Sequence, residues 1–179
     1  MKLKNLFATP LFTELHNDYG SLNQKILKEC VDSNDFGLFN LQTEGVSILK
    51  DWITKNVNDI SNQFNFNHGD ITGRKNIIRP FESDTPHHHV SKSILVGVYY
   101  VDVHSNSGDL LLHDPRGALT WENLDCVPND PVANKTARCY HRIKPQNGLL
   151  VLFPGFLIHS VEANLSNQNR TSIVINVHH

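Results

Sequence analysis

Three cysteines, Cys30, Cys126 and Cys139, are odd in number and widely spaced. No Cys-x-x-Cys pair is present, so they build neither a disulfide framework nor a zinc ribbon, and they read as reduced structural residues. No apolar run approaches the roughly 20 residues needed to span a bilayer. The opening Met1-Lys-Leu-Lys-Asn-Leu-Phe-Ala-Thr-Pro10 lacks the apolar stretch of about 7–15 residues found in a secretory leader. A cytoplasmic protein with no membrane partner is the resulting expectation. Neither sign of charge dominates: 16 Lys and Arg face 18 Asp and Glu, for a formal charge of −2. That balance removes the broad basic face with which a protein grips nucleic acid. With 39 % hydrophobic residues, the chain is not a disordered polyelectrolyte either. There is no internal repeat and no Pro-, Gly- or Ser-rich linker. The 179 residues therefore suit a single domain with a core, spanning 1–179. Histidine is what the sequence has in excess, with eleven residues, three of them consecutive at His87, His88 and His89. The closing His178-His179 fits a native end or the remnant of an affinity tag equally well and is given no weight.

Two N-terminal segments carry helical periodicity. Ser21 and Gln24 have capping-box spacing, and Leu22, Ile26, Leu27 and Cys30 line one face behind them. Val46, Leu49, Ile53, Val57, Ile60 and Phe64 form a second stripe, widened by Trp52, which the Asn-rich stretch 62–67 ends. From about residue 70 the pattern becomes β-like. Ile94–Val103, Asp109–His113, Arg142–Lys144, Leu149–Phe153, Ile158–Val161 and Arg170–Val177 read as strands separated by turn residues. Residues 117–140 form a long, aperiodic loop, a candidate lid or substrate loop. Short strands with helices gathered at one end predict an all-β barrel or sandwich, with a helical buttress at about 17–65 packed on its sheet and a core at about 70–179.

Three features carry candidate chemistry: the histidine triplet ahead of the Ile94 strand, His159 just after the Phe153-Pro-Gly155 kink, and Arg170 with Ser172. Alternation along a strand places Arg170, Ser172, Val174 and Asn176 on one face. A His-x-His pair plus a distant His supplies three ligands to one side of an octahedral metal and leaves the other side open, a set that suits Fe(II) and Zn(II) alike. A fixed guanidinium beside a hydroxyl is what a carboxylate ligand requires for charge-assisted, bidentate binding.

These residues resemble the double-stranded β-helix core of the 2-oxoglutarate- and Fe(II)-dependent oxygenases, and within it a small group with a His-x-His pattern. The matching motifs are His87-x-His89, Gly97-Val-Tyr-Tyr-Val101, Ser107-Gly108, Asp114-Pro-Arg116, Gly148 through Phe153-Pro-Gly-Phe-Leu-Ile-His159, and Arg170-Thr-Ser172, with Leu6–Phe12 resembling the group's first strand. The resemblance implies a cupin-like jelly roll binding Fe(II) and 2-oxoglutarate, with O2 as co-substrate. It implies decarboxylation to succinate and CO2, coupled to hydroxylation of an unidentified small-molecule or peptidyl substrate. It places His159 as the distal metal ligand and the triplet at the proximal end. Arg170 falls on the far carboxylate of 2-oxoglutarate, with Ser172 beside it and Tyr100 where related hydroxylases put a tyrosine hydroxyl.

The superfamily's usual carboxylate ligand is missing. Three arrangements follow: His87 and His89 with His159; one triplet histidine (His87 or His88) with His159 and a water; or Asp84 or Asp114 completing the set. The first is preferred because His-x-His puts two imidazoles on one side of an extended segment, although a one-residue shift would substitute His88. His16, His68, His104 and His141 read as surface residues, and His113 as packed or hydrogen-bonded. Asp114-Pro-Arg116 reads equally as a structural turn or a substrate contact. A non-catalytic, cupin-like metal or small-molecule binding module is the alternative reading, and it would not need the Arg170–Ser172 pair. A zinc hydrolase ranks behind it, since no His-Glu-x-x-His is present. No Gly-x-Ser-x-Gly elbow supports a nucleophilic serine. A dimer is compatible with the sequence, which does not specify an oligomeric state.

Overall fold

The computed structural model describes residues 8–29, 37–89, 93–116 and 140–179. Its elements in chain order are β1 (Phe12–Leu15), α1 (Tyr19–Glu29), a 3-10 turn (Leu38–Asn40), α2 (Glu44–Phe64), β2 (Ile71–Ile78), β3 (Asp84–His87), β4 (Leu95–Asp102), β5 (Leu110–His113), β6 (Tyr140–Ile143), β7 (Leu149–Pro154), β8 (His159–Val161) and β9 (Arg170–Val177). The strands form a five-stranded sheet in the order β1-β7-β4-β9-β2 and a four-stranded sheet in the order β3-β8-β5-β6. Every pairing between these strands is antiparallel. Successive strands from β2 onward mostly cross between sheets, which is the winding of a jelly roll. Among the described residues, no helix is long and apolar enough to cross a membrane.

The larger sheet is buried on both sides, and strand alternation sorts its residues. Tyr99, Val101, Leu150, Leu152, Ile173, Ile175 and Val177 face α1 and α2 and pack with Leu22, Ile26, Leu49, Ile53 and Val57. Val96, Val98, Tyr100, Val151 and Phe153 face the smaller sheet and pack with Leu110, Leu112, Ile143, Leu157 and Val161. At roughly 1.5–3 kcal/mol for each fully buried aliphatic or aromatic side chain, this double packing holds the sheet in place. Helix α1 is further tied to β4 through Asn23, whose Nδ2 donates to Val101 O at 2.7 Å while its Oδ1 accepts from the Tyr99 hydroxyl at 2.7 Å.

Several details differ from the sequence reading. Helix α1 starts at Tyr19, because Leu22 N–H already donates to Asp18 O. Ser21 and Gln24 therefore lie inside the helix and form no capping box. Its buried face is Leu22, Asn23 and Ile26, with Leu27 39 % exposed, while Cys30 lies outside the described residues. Phe64 ends α2 half-exposed, standing edge-on to Phe12 at 5.4 Å, and Asn65 closes the helix in a left-handed conformation (φ 53°). Strands β2 and β3 are additions. Strand β2 pairs with β9 over all eight of its residues. Strand β3 holds Pro86 at a sheet edge, where no partner needs its missing N–H. His178 lies at the end of the five-stranded sheet: its N–H donates to Asp70 O and its Nε2 is 2.9 Å from Thr72 Oγ1. Apart from Tyr140 in β6, the 117–140 loop lies outside the described residues, as do Cys126 and Cys139.

Candidate functional site

Three histidines meet where β3 ends and β8 begins. His87 and His159 are direct cross-strand partners, and His89 follows two residues beyond β3. Their nitrogens converge so that one ligand atom from each lies within 4.8 Å of the others. The ring centroids are 4.3 Å apart for His87–His159 and 5.3 Å for each pair involving His89. The Pro154-Gly155 kink places the third ring: His89 N–H donates to Gly155 O at 2.8 Å. At Gly155 a Cβ would come within 2.1 Å of Ser93 O, so the close approach requires glycine.

Each ring has its Nδ1 engaged. That of His87 is 2.7 Å from Thr85 O, that of His159 is 3.0 Å from Leu157 O, and that of His89 is 2.9 Å from Asn176 Oδ1. A carbonyl oxygen only accepts, so each Nδ1 carries the proton and each Nε2 keeps its lone pair. Burial, reinforced by the neighbouring imidazoles, lowers the pKa of His159 to about 4 against the opposing bond to Leu157. Burial also lowers that of His89, against the bond to Asn176. The buried member of the set is thus neutral and metal-competent at pH 7 without first losing a proton.

The other proximal candidates lie apart from this cluster. His88 is exposed and is not among the convergent residues. Asp84 Oδ1 stands 3.8 Å from His87 Nδ1, outside the convergent set. Asp114 is held by Arg116 through three bonds of 2.6–2.9 Å, the locked turn that was one of its two readings.

At the opposite end of β9, Arg170 is 1 % exposed. One terminal nitrogen donates to Gly108 O at 3.0 Å, and the guanidinium carbon lies 5.2 Å from the centre of the Tyr100 ring. Gly108 sits at φ +86° with Glu162 O at 2.2 Å from where a Cβ would stand, so only glycine presents this carbonyl to the arginine. Among the described residues no carboxylate is within ion-pair distance of Arg170. Arg170 Nε, Tyr100 Oη and Ser107 Oγ are all buried without a hydrogen-bond partner. Burial pushes the Tyr100 phenol up to about 12, against the pull of Arg170, so it remains a donor. Ser172 is buried and lies in register between Tyr100 on β4 and Asn76 on β2.

Unpaired buried donors and a buried cation are costly unless a ligand satisfies them, and an anion with several acceptor oxygens does so. Val174, on the same face between Ser172 and Asn176, is only half-buried. The residues present therefore fit both groups: three convergent imidazoles suit a divalent metal, and the buried, incompletely satisfied donors of Arg170, Tyr100 and Ser107 suit an anion.

Of the remaining histidines, His113 is hydrogen-bonded as expected, with its Nε2 2.9 Å from Ser160 Oγ. His68 binds Asn58 and Gly69 at the surface, and His16 stands edge-on to Trp52. Two features escaped the sequence reading. Asn176 was placed on the correct face but given no task; its partner His89 is 87 residues away. Arg74 and Asn76 share the inner face of β2 and line a cleft of about 580 Å³ between the free edges of the two sheets, with Ser83 and Asp84 opposite. That strand shows too little hydrophobic alternation to be found by pattern.

A Pseudomonas putida prolyl-4-hydroxylase superposes with a TM-score of 0.68 over 95 % of this chain and 88 % of its own, at 15 % identity. HygX from Streptomyces hygroscopicus, solved with iron bound, gives 0.64 over 95 % and 82 %, at 12 % identity. An oxidoreductase of the 2OG-Fe(II) oxygenase family from Burkholderia pseudomallei gives 0.55 over 77 % and 60 %, at 11 % identity. At these identities the likeness establishes the jelly-roll fold. A comparison with curated proteins gives no match. By sequence, residues 75–176 match the family described as "Putative 2OG-Fe(II) oxygenase", from the second strand through the last and including every residue of both ends of the site. The chain belongs to this 2OG-Fe(II) oxygenase family, whose cofactors are Fe(II) and 2-oxoglutarate.

Proposed function

We propose that this protein is a hydroxylase that inserts oxygen into a C–H bond of a small-molecule or peptidyl substrate, with His87, His89 and His159 holding Fe(II) through Nε2, and Arg170, Tyr100 and Ser172 holding the far carboxylate of 2-oxoglutarate. One observation carries the reading: a fully buried arginine with no carboxylate partner among the described residues, on the same strand face as the residue that touches His89. Bound together, Fe(II) and 2-oxoglutarate supply O2 activation coupled to oxidative decarboxylation, with succinate and CO2 as co-products.

The chain's own residues do the positioning. The three imidazoles, with one ligand atom of each within 4.8 Å of the others, would hold Fe(II) through their Nε2 atoms. Arg170 and the Tyr100 hydroxyl, both buried, would give the far carboxylate charge-assisted hydrogen bonds. Phe153, whose ring lies 4.9 Å from that of His159, belongs with Val96, Val98 and Val151 to the apolar layer beside the site.

Anaerobic titration of the protein with Fe(II) and then 2-oxoglutarate, followed by visible absorption, tests the assignment. A metal-to-ligand charge-transfer band is expected in the parent, absent in His159→Ala and requiring far more 2-oxoglutarate in Arg170→Ala. A parent protein without the band refutes the oxygenase reading and leaves a cupin-like binding module. A band that persists in His159→Ala refutes the ligand assignment.

A further inference from the structure

The three imidazoles are oriented by unequal means. His87 and His159 each bond a carbonyl two residues earlier in their own strand region, Thr85 O and Leu157 O. These contacts come with the local backbone and survive any side-chain change. His89 has no such local carbonyl partner. It lies beyond the end of β3, and its Nδ1 bond runs across the open end of the barrel to the side chain of Asn176 on the larger sheet.

Asn176 is itself held firmly. It is 6 % exposed, and it lies in a ladder opposite Thr72 on β2 and Val96 on β4. Its backbone position is set by strand pairing on both sides, so its amide is presented to His89 from a rigid element. Without an acceptor there, the His89 ring is free to exchange tautomers and to turn about χ2, and the population offering an Nε2 lone pair to the other two rings falls.

We propose that Asn176 is a positioning residue for the metal centre: its side-chain carbonyl fixes His89 as an Nε2 ligand, and the affinity of the site for a divalent metal depends on that bond. This rests on the reading of His87, His89 and His159 as ligands. It assigns to one strand both ends of the site, with Arg170 at its start and Asn176 near its close.

The test is metal affinity of the full chain without 2-oxoglutarate or substrate, using Co(II) alone as the probe and its ligand-field bands as the spectroscopic signature. Asn176→Leu is expected to weaken Co(II) binding by about 10- to 100-fold, the range for losing a hydrogen bond that orients a metal-bound histidine. Its bands should move toward those of His89→Ala. Asn176→Asp, which accepts the same bond and increases imidazole basicity, is expected to retain parent-like affinity and bands. In the His89→Ala background, Asn176→Leu should add nothing. Three results would overturn the proposal: parent-like affinity in a folded Asn176→Leu, loss of affinity in a folded Asn176→Asp, or an equal further loss when His89 is already absent. If His89→Ala itself binds Co(II) as the parent does, the ligand assignment falls as well, and the two failures are thereby told apart. Should Asn176→Leu not fold, the Asp variant and its bands decide the matter alone.

Discussion

Strand β9 presents two faces made from the same eight residues. Ile173, Ile175 and Val177 point toward the helices and are completely buried among other apolar side chains. Arg170, Ser172 and Asn176 point the other way and are buried almost as thoroughly, yet at Arg170 the polar groups are incompletely satisfied. Burial alone therefore does not distinguish core from site. What distinguishes them is whether the protein supplies a partner. On the helix side every group finds one, and the face contributes stability. On the barrel side the guanidinium retains an unbonded Nε, and the face carries a cost that only a ligand removes.

The sharpest way to break this contrast is Arg170→Met. Replacing a buried, unpaired charge with an apolar chain of similar length is expected to leave the thermal midpoint of the ligand-free protein unchanged or raise it. Affinity for 2-oxoglutarate, measured calorimetrically with a redox-inert divalent metal, should fall by about 3–5 kcal/mol, because the far carboxylate is then buried without a counter-charge. A fall in the ligand-free midpoint would show that Arg170 is a structural residue after all.

The complementary change on the other face is Ile175→Ala. It leaves a cavity between sheet and helices and should cost about 2–5 kcal/mol of unfolding free energy in a denaturant titration. At temperatures where the variant stays folded, its 2-oxoglutarate affinity should match that of the parent. Equal damage to binding and folding would mean that the two faces are not independent.

The smallest effect concerns the helical layer alone. The Glu29 carboxylate accepts from the N–H groups of Gly45 and Val46 at the start of α2, at 2.9 and 3.2 Å. Partial burial raises its pKa, but these bonds outweigh the rise and hold it below the usual glutamate range. A folded-state pKa below the unfolded one means stability that is present above the unfolded value and lost as pH falls through the folded one. Glu29→Gln should therefore unfold more readily at pH 7, by about 0.3–1 kcal/mol, with the difference closing as acid protonates the parent. A gap that persists unchanged below pH 3 would assign the effect to something other than the carboxylate charge.

How much of this was legible in the sequence depends on which face of a strand a residue occupies. Strands β4, β7 and β9 were evident because both of their faces are buried, giving dense runs of Val, Ile, Leu and Tyr. Strand β2 was not, because its inner face carries Thr72, Arg74 and Asn76, and its identity comes from eight paired positions along β9 rather than from hydrophobicity. Strand β3 contains a proline and a register shift between Asp84 and His87, both of which erase the periodic signal. At Ser21 a local capping pattern is lost to a helix that begins nearly a full turn earlier, at Tyr19. Alternation alone put Arg170 and Ser172 on one face of β9, and their task at a carboxylate came from the family resemblance. Choosing among His87, His88 and His89 was beyond the sequence, since it depends on the Gly155 contact that draws His89 inward. Asn176 could be placed on a face, but its task depends on a partner from another sheet.

The location of the three imidazoles has a mechanical consequence. His87 and His159 belong to the four-stranded sheet, while His89 is moored to the five-stranded sheet through Asn176. An ion gripped by all three rings would act as a clasp across the mouth of the barrel, adding a link to the side-chain packing and the few hydrogen bonds, such as Arg170 to Gly108 O, that join the two layers. Filling the site would then stiffen the seam, and the slowing of amide exchange along β3 and the near end of β9 would record how tightly the clasp is shut.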